Sequence, residues 1–392
     1  MRIKKIVATL ASLGLVASPL AYATNGDEMM AVGSQSTALG GTGVANYMGA
    51  ESLWANPAML GKSKGSEVTG GVNLFKPSVA NNGVGGGATE KSSANTNYIP
   101  DVSFSNRISD SLSYGIGVAG IAGMGVDYTG ASAAMMAAKS SLSIMRVTAD
   151  IAYNKDNYGF GFAPIFQSGS LMLSYTGAGG AYNAAQQSSS STNFGFSLGG
   201  YFNATNAVTL GAAYQSKIAG KYGTQISGAG TGFGQTFGDN LDQPAQIKVG
   251  ASYAASENVT LTADYKQIQW GSAAGYKDFG WQNQNVFAVG AKYAVNAYWL
   301  GAGYNHANDP ISVGANPAVN MFNNMFFPAI VTNSYTFGGG YALSNALAVE
   351  GAVVITPEVK KTVSIAGLPG AAPTNTTTHS QQAFEVSLRY KF

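Results

Sequence analysis

The sequence predicts an all-β fold: a transmembrane barrel of fourteen antiparallel strands, plugged by a small amino-terminal hatch with short helices. One observation is the alternation at the carboxyl terminus, where polar residues separate Phe384, Val386, Leu388, Tyr390 and Phe392. Such a strand keeps one face in lipid and the other in water. The second observation is that no run of about 18 apolar residues follows residue 23, so no helix can cross a bilayer. A closed barrel is the remaining way to pair every backbone group in lipid.

The amino terminus carries an export signal. The basic stretch Arg2–Lys5 precedes the apolar run Ile6–Val16, and Ala21-Tyr22-Ala23 supplies a small-x-small cleavage site. This three-part pattern predicts a secretory signal peptide over residues 1–23. Its removal takes away three bases and no acid. The rest of the chain is then nearly neutral, which argues against a nucleic-acid partner.

Composition excludes several other classes of protein. Only 10% of the residues are charged, against about 25% in typical soluble domains. Cysteine is absent and the two histidines are His306 and His379, so neither disulfides nor a metal cluster are expected. His306 with Asp309 could form an acid–base dyad, but no serine lies in a nucleophile-elbow context. The sequence therefore predicts no enzyme, no metal site and no cofactor.

Fourteen segments carry the two-residue period of strands. They run over Ser66–Val79, Tyr98–Ile108, Leu112–Met124, Ser141–Tyr153, Tyr158–Leu173, Thr192–Phe202, Ala207–Tyr222, Ala245–Ala254, Val259–Trp270, Asn283–Tyr293, Tyr298–His306, Ser334–Leu343, Ala346–Val359 and Gln381–Phe392. Six connections are short turns rich in Asn, Asp and Ser, and the other seven are long loops. Short periplasmic turns alternating with long external loops are typical of outer-membrane barrels.

Alternation within strands assigns side chains to the lipid or to the lumen. In the fourth strand, Arg146, Thr148 and Asp150 share one face and apolar residues occupy the other. The polar face is expected to point into the lumen. Arg146 and Asp150 are predicted to form a lumenal ion pair that stiffens the wall, with ligand binding as the alternative.

A barrel of this size needs a plug or an open channel. Fourteen tilted strands give a backbone radius of about 14 Å, which side chains alone cannot fill. Residues 24–64 lack strand alternation and contain two short helical patterns, which Gly40-Gly41 and Asn56-Pro57 end. We therefore expect a hatch over residues 24–64 and a barrel over residues 65–392.

The hatch segment also carries a family resemblance. Ala38–Ala45 and Ala50–Ala58 resemble the amino-terminal hatch of the FadL family of outer-membrane transporters. The resemblance implies a barrel in the outer membrane of a Gram-negative bacterium. It also implies that long-chain fatty acids or hydrocarbons diffuse through the plugged lumen and leave through a lateral opening. The expected partners are hydrophobic small molecules and outer-membrane lipid, and the protein is expected to be a monomer.

The same resemblance implies a gate. In the family, the opening lies at a kink in the third strand, beside an Asn-Pro-Ala segment. The third strand of this chain is rich in glycine, and glycine within a strand marks a bulge or a close approach of another backbone. We therefore expect a gate in which Asn56, Pro57 and Ala58 pack against the third strand. The residues expected on that strand are Gly120, Gly123 and Gly125.

One long loop predicts an outer substrate platform. Its apolar residues are Met321, Phe322, Met325, Phe326 and Phe327. An exposed run of this kind marks an interaction surface, whereas the alternative is that the loop folds back onto its neighbours. The alternatives at the level of function are a general porin, or a structural or adhesin barrel without a hydrophobic substrate.

Overall fold

The computed structural model describes residues 24–177, 180–182 and 187–392, and the predicted signal peptide lies outside these ranges. Fourteen antiparallel strands close into one barrel, in which each strand pairs with its neighbours in sequence. The strands are β1 Glu67–Asn81, β2 Asn97–Arg107, β3 Leu112–Asp127, β4 Lys139–Lys155, β5 Tyr158–Gly177, β6 Ser189–Asn203, β7 Val208–Gln215, β8 Gln246–Ala254, β9 Val259–Ile268, β10 Gln284–Val295, β11 Tyr298–Ala307, β12 Asn333–Ala342, β13 Leu347–Ser364 and β14 Thr374–Lys391. The predicted fold class is therefore confirmed.

The last strand closes the barrel against the first. β14 pairs with β1 from Lys391↔Glu67 to Thr377↔Asn81. The predicted alternation is confirmed, because Val386 is 56% exposed on the lipid face whereas its neighbours Glu385 and Ser387 are buried on the lumen face. This pairing leaves no free sheet edge between the last strand and the first, which a barrel needs in order to span a bilayer.

The six short turns all join strands at one end of the barrel. Two of them place a residue in the left-handed region, Asp156 with φ 49° and Asn296 with φ 53°. Asp and Asn tolerate this conformation better than other residues with a side chain. The sequence of these turns therefore lets the chain reverse within a few residues and fixes which end of the barrel carries the short connections.

Three strand boundaries differ clearly from the prediction. β7 ends at Gln215 rather than Tyr222, because the chain leaves the wall there and forms a bridge between Ile218 and Gln243. β13 continues to Ser364 and β14 begins at Thr374, and their outer ends pair as far as Ser364↔Thr374. These extensions are rich in Lys and Thr, and the apolar alternation that marks the lipid-facing part of a strand is weak there.

The long connections hold the other secondary structure and most of the buried aromatic residues. The helices in these connections are Gln225–Gly232 and Pro317–Phe326, and the 3-10 turns are Ala133–Met135, Trp270–Ser272 and Lys277–Phe279. Two short strands, Glu90–Lys91 and Gly180–Tyr182, pair with β1 and β5. The long loops therefore pack over one end of the barrel as an apolar layer.

The hatch lies inside the barrel. It comprises the paired short strands Thr24–Asn25 and Glu28–Met29, helix α1 (Ser34–Ala38), helix α2 (Ser52–Ala55) and the 3-10 turn Pro57–Lys62. Nearly all of its residues are buried. No helix among the described residues is both long enough and apolar enough to cross a membrane.

The lipid face of β14 provides a test of the barrel and its register. Val386→Arg should strongly lower the fraction of folded, heat-modifiable protein in isolated outer membranes, because a charge near the bilayer midplane costs about 2–4 kcal/mol. Gln382→Arg is the matched control: Gln382 is on the same face of the same strand but nearer the loops. Equal losses in the two variants would contradict the position of the apolar belt.

Candidate functional site

The wall of the barrel is interrupted between β2 and β3. These strands pair from Arg107↔Ser113 to Asp101↔Ala119 and no further. Beyond that point β2 stays paired with β1 as far as Asn97, and β3 stays paired with β4 as far as Asp127. The two strands therefore separate above Asp101 and leave an opening in the wall.

A bulge turns β3 away from β2. The register of β3 with β4 shifts between Gly120 and Ala122. Ile121 is therefore an extra residue in β3 that lies opposite no residue of β4. An extra residue of this kind bends its strand and increases the local twist. The side chain of Ile121 is buried and lines a cavity in the lumen. The bulge therefore moves the upper half of β3 inward and opens the seam.

The hatch takes the place of β2 along the upper half of β3. The backbone N–H of Gly123 donates to the Asp27 carbonyl oxygen at 2.8 Å, and Glu28 pairs with Ala122. This amide of β3 would otherwise have no partner on that side, since β2 has moved away. The predicted gate residue Gly123 therefore contacts the hatch, but through Asp27 rather than through the Asn-Pro-Ala segment.

Asp27 links the hatch to the outer loops. Its buried carboxylate accepts hydrogen bonds from the Tyr276 hydroxyl and from Gln243 Nε2, the latter at 3.2 Å. Burial raises the pKa of Asp27 to about 7, and the bonds from Tyr276 and Gln243 act in the opposite direction. One carboxylate thus connects the hatch strand to the loop residues Gln243 and Tyr276.

The Asn-Pro-Ala segment lies elsewhere in the barrel than predicted. Asn56 donates to the carbonyl oxygens of Val44 (2.7 Å) and Gly200 (3.1 Å), and its Oδ1 caps the Ala58 amide at 3.0 Å. Pro57 and Ala58 press on the wall at Gly161, where a Cβ would collide with their backbone.

The expected contact of this segment with Gly120, Gly123 and Gly125 is therefore wrong. Glycines of β5 and β6 admit the turn at a different part of the wall, and residues 26–29 occupy the space beside β3. Gly123 and Gly125 instead line a small cavity at the opening, together with Pro77 and Val79 of β1.

The predicted outer platform is buried. Met321, Phe322, Met325, Phe326 and Phe327 are at most 1% exposed. Their helix packs on other loops through ring contacts such as Phe279–Phe322, with centroids 4.9 Å apart. The prediction of an exposed platform is wrong and the folded-back alternative describes the structure, because the apolar side chains of this loop find partners in the neighbouring loops.

A cavity of about 100 Å³ lies between the hatch and the wall. Part of its lining is apolar, with Met29, Met30 and Val32 from the hatch and Ile121 and Ile165 from the wall. Much of the rest is polar and includes the charged residues Glu28, Arg146, Lys248, Asp264 and Lys266. The cavity therefore combines an apolar surface with a concentrated group of charges.

Lys248 and Lys266 are cross-strand partners on β8 and β9. Like charges directly opposite each other in a sheet are destabilising. Within the described part of the chain, neither ammonium group has a hydrogen bond or an ion pair. Sequence reasoning missed this pair, although each lysine faces the lumen from a strand whose adjacent residues are largely apolar.

The predicted ion pair between Arg146 and Asp150 is wrong. Arg146 donates to Gln167 Oε1 at 2.9 Å and to Gln215 Oε1 at 2.8 Å, while Asp150 accepts from Thr148 at 2.7 Å. Arg146 Nη2 has no partner among the described residues. Periodicity placed both side chains in the lumen correctly, but the glutamines of two other strands bind the guanidinium.

Comparison with known proteins identifies the family. Residues 15–392 match the family model described as outer membrane protein transport protein (OMPP1/FadL/TodX). The chain belongs to this family. Its members are outer-membrane transporters of hydrophobic compounds, so the FadL resemblance and the outer-membrane localisation predicted from the sequence are confirmed.

Solved structures of the OMPP1/FadL/TodX family share the fold at low identity. A Pseudomonas aeruginosa FadL homologue is 17% identical, with a TM-score of 0.72 over 94% of this chain and 100% of that one. The Pseudomonas putida toluene transporter TodX is 19% identical, with a TM-score of 0.70 over 94% and 100%. The Ralstonia pickettii toluene transporter TbuX is 18% identical, with a TM-score of 0.63 over 93% and 99%.

A curated relative is an uncharacterized protein in the phosphoenolpyruvate carboxykinase gene 5' region of Chlorobium limicola. It is 35% identical over 113 residues, which are 28% of this chain. This chain spans about half the length of that relative, 54%. The relative therefore adds no assignment of substrate to the family membership.

In this member of the OMPP1/FadL/TodX family, a buried arginine holds the hatch to the wall. Arg389 of β14 forms ion pairs with Glu51 of the hatch at 2.5 Å, with Glu350 of β13 at 2.8 Å and with Glu67 of β1. It also donates to the Met48 carbonyl oxygen at 2.9 Å. One guanidinium thus joins three strands and two parts of the hatch.

Loss of this arginine should destabilise the protein severely. Arg389→Met removes the cation from three buried carboxylates, and breaking a buried pair in this way costs about 3–5 kcal/mol. We expect the temperature at which the folded band disappears in a heat-modifiability gel to fall sharply. Lys391→Met, an exposed cation two residues along the same strand, is the control and should leave that temperature unchanged. An Arg389→Met variant as heat-stable as the control would rule out the ion-pair network as the anchor.

Proposed function

We propose that this protein carries an anionic amphiphile, a long-chain fatty acid, from the lumenal cavity through the opening between β2 and β3 into the outer membrane. The observation that carries the proposal is the unpaired Lys248–Lys266 pair beside an apolar cavity wall. The protein works without catalysis, as a monomer surrounded by outer-membrane lipid.

The two lysines suit a carboxylate head group. A carboxylate between them would replace a repulsion by two charge-assisted hydrogen bonds. Of the carboxylates nearby, Asp264 Oδ2 accepts from the Gly43 and Val44 amides at 2.7 and 2.9 Å. Glu28 Oε2 accepts from Gln246 Nε2, and Glu28 Oε1 has no partner among the described residues. Neither carboxylate lies within ion-pair distance of the lysines in the described part of the chain, so both ammonium groups are available to a ligand.

The apolar wall of the cavity suits the tail. Burial of a methylene group contributes about 0.8 kcal/mol. A long chain therefore gains free energy when it leaves water and packs against Met29, Met30 and Val32. A water-filled pore offers no such surface. Two of the similar structures are named as toluene transporters. An uncharged aromatic ring such as toluene would contact this apolar wall but would form no ion pair with the lysines.

The exit follows from the interrupted wall. The cavity and the opening share the bulged segment of β3, since Ile121 lines the former and Gly123 and Gly125 line the latter. Pro77, Val79 and Met124 make the second cavity largely apolar. A tail leaving along this route stays in contact with apolar side chains until it reaches lipid.

The head group can be tested by replacing both lysines. The double variant Lys248→Gln and Lys266→Gln should bind a long-chain fatty acid roughly tenfold or more weakly, because hydrogen bonds to charged groups contribute about 1.5–3 kcal/mol. Binding of toluene, or of an alkane of the same length, should change little. Titration calorimetry on the protein in lipid nanodiscs measures both affinities.

Lys360→Gln is the control for the loss of a lysine, since Lys360 is exposed on the outer part of β13. It should bind both ligands like the unmodified protein. If the double variant also binds the fatty acid with unchanged affinity, the substrate is not selected by its charge, and an uncharged hydrocarbon becomes the better assignment.

The lateral exit can be tested by removing the bulge. Deletion of Ile121 should bring β3 back into regular register with β4, straighten the strand and close the opening. Uptake of a labelled fatty acid by cells should fall to the level of cells that lack the protein, while the amount of folded barrel stays near normal.

Ile121→Ala is the matched control, because it shortens the side chain but keeps the extra residue and therefore the bulge. This variant should retain most of the uptake. Normal uptake by cells carrying the folded deletion variant would exclude the lateral exit and favour a route straight through the lumen.

A further inference from the structure

A second polar group lies on the wall formed by β14, β1 and β2, away from the lysine pair. Asn73 of β1 is the direct cross-strand partner of Glu385, and Asp101 of β2 is the partner of Gly71. A Cβ on Gly71 would lie 2.6 Å from Asp101 Oδ2 and 3.1 Å from the Ser387 Cβ. The missing side chain therefore lets the Asp101 carboxylate lean across β1 toward β14.

These three side chains present oxygen atoms without partners. Asp101 Oδ1, Asn73 Oδ1 and Glu385 Oε1 are buried and have no hydrogen bond among the described residues. The three residues are 5%, 5% and 3% exposed. The second carboxylate oxygen of Glu385 is engaged, since it accepts from Thr37 Oγ1 at 2.8 Å and from Asn73 Nδ2 at 3.4 Å.

Among the described residues, no cation forms an ion pair with this group. Arg389 of the same strand is bound to Glu51, Glu67 and Glu350. In the part of the chain that the structure describes, Asp101 and Glu385 form no ion pair. An uncompensated buried carboxylate costs several kcal/mol, so the pair needs either a shared proton or a bound cation.

We propose that Asp101, Asn73 and Glu385 form a binding site for a hard divalent cation, Ca²⁺. All three donors are oxygens, from two carboxylates and one amide, which is the donor chemistry that Ca²⁺ takes. A shared proton would satisfy the carboxylates but would leave the Asn73 amide oxygen unpaired. The described residues contain no group of three or more His, Cys, Asp or Glu suited to a metal. Because Ca²⁺ takes about six to eight oxygen ligands, water would supply those that the three side chains do not. Softer metals are disfavoured because all three donors are oxygens.

The position of the site gives the cation a structural role. Asp101 is the last residue of β2 that pairs with β3, at the foot of the opening. Glu385 lies on the closing strand and binds Thr37 of α1 in the hatch. A cation between them joins the free edge of β2 to the closing strand and to the hatch, and stabilises all three together.

The first experiment measures direct binding with Tb³⁺ as a luminescent substitute for Ca²⁺. The indole of Trp54 donates to Ser103 Oγ at 2.9 Å, two residues along β2 from Asp101. Tryptophan excitation of the full-length purified protein, after treatment with a chelator, should therefore sensitise Tb³⁺ emission, and Ca²⁺ should reverse it. Absence of such emission, or emission that Ca²⁺ does not displace, would overturn the proposal.

The second experiment measures stability. At a Ca²⁺ concentration about 100 times the dissociation constant, the midpoint of thermal unfolding should rise by roughly 5 °C. The double variant Asp101→Asn and Glu385→Gln keeps the side-chain shapes and should lose this response. Asp110→Asn, which changes a fully exposed acid, is the control and should respond like the unmodified protein.

Two outcomes of the stability experiment count against the site. A rise that NaCl of equal ionic strength reproduces would show charge screening alone. The second outcome is that Ca²⁺ does not stabilise the unmodified protein and that the double variant in chelator is as stable as the unmodified protein in Ca²⁺. This combination would show that the two carboxylates share a proton. Neither outcome bears on the lysine pair or on the lateral exit.

Discussion

Backbone pairing in lipid is the constraint on which the rest of this structure depends. A barrel wall has no water available for unpaired N–H and C=O groups, so an opening in it needs a substitute partner. Here the substitute is the hatch: the Gly123 amide donates to the Asp27 carbonyl oxygen at 2.8 Å where β2 no longer reaches. The hatch is therefore part of the wall as well as a plug. An inward β3 is stable because residues 26–29 run beside it.

The buried charges distinguish the wall that holds the hatch from the wall beside the lysine pair. Arg389 draws Glu51 to the wall formed by β13, β14 and β1, and this network fixes the hatch against that side. On the opposite side, Asp264 binds two hatch amides but the lysines beside it stay unpaired. The ion pairs of Arg389 on one wall and the unpaired lysines on the other thus separate the part of the lumen that anchors the hatch from the part proposed to receive a ligand.

The sequence predicted the wall well and the lumen poorly, for a physical reason. Alternation reports which face of a strand a residue occupies, and the short Asn- and Asp-rich turns report where strands end, so the strand number and the lipid face of β14 were correct. Neither signal shows which residues from other strands contact a given side chain inside the lumen. Arg146 was placed in the lumen correctly but was given Asp150 as its partner, whereas Gln167 and Gln215 bind it. Asn56 was likewise assigned to β3, although glycines of β5 and β6 are what admit its turn.

The proposed route consists of the lysine pair and an apolar exit. Together these two features would determine which acids the protein transports. A ligand that leaves through the side of the barrel must give up its contacts with Lys248 and Lys266, which contribute about 1.5–3 kcal/mol per hydrogen bond. Transfer into lipid returns about 0.8 kcal/mol only for each methylene group of the tail that the cavity, with its volume of about 100 Å³, leaves in water. Only a tail of several methylene groups offsets the lost head-group contacts, and a short-chain acid would remain at the lysines. A polar head-group site inside an apolar exit therefore favours long chains without any need for a pocket that measures length.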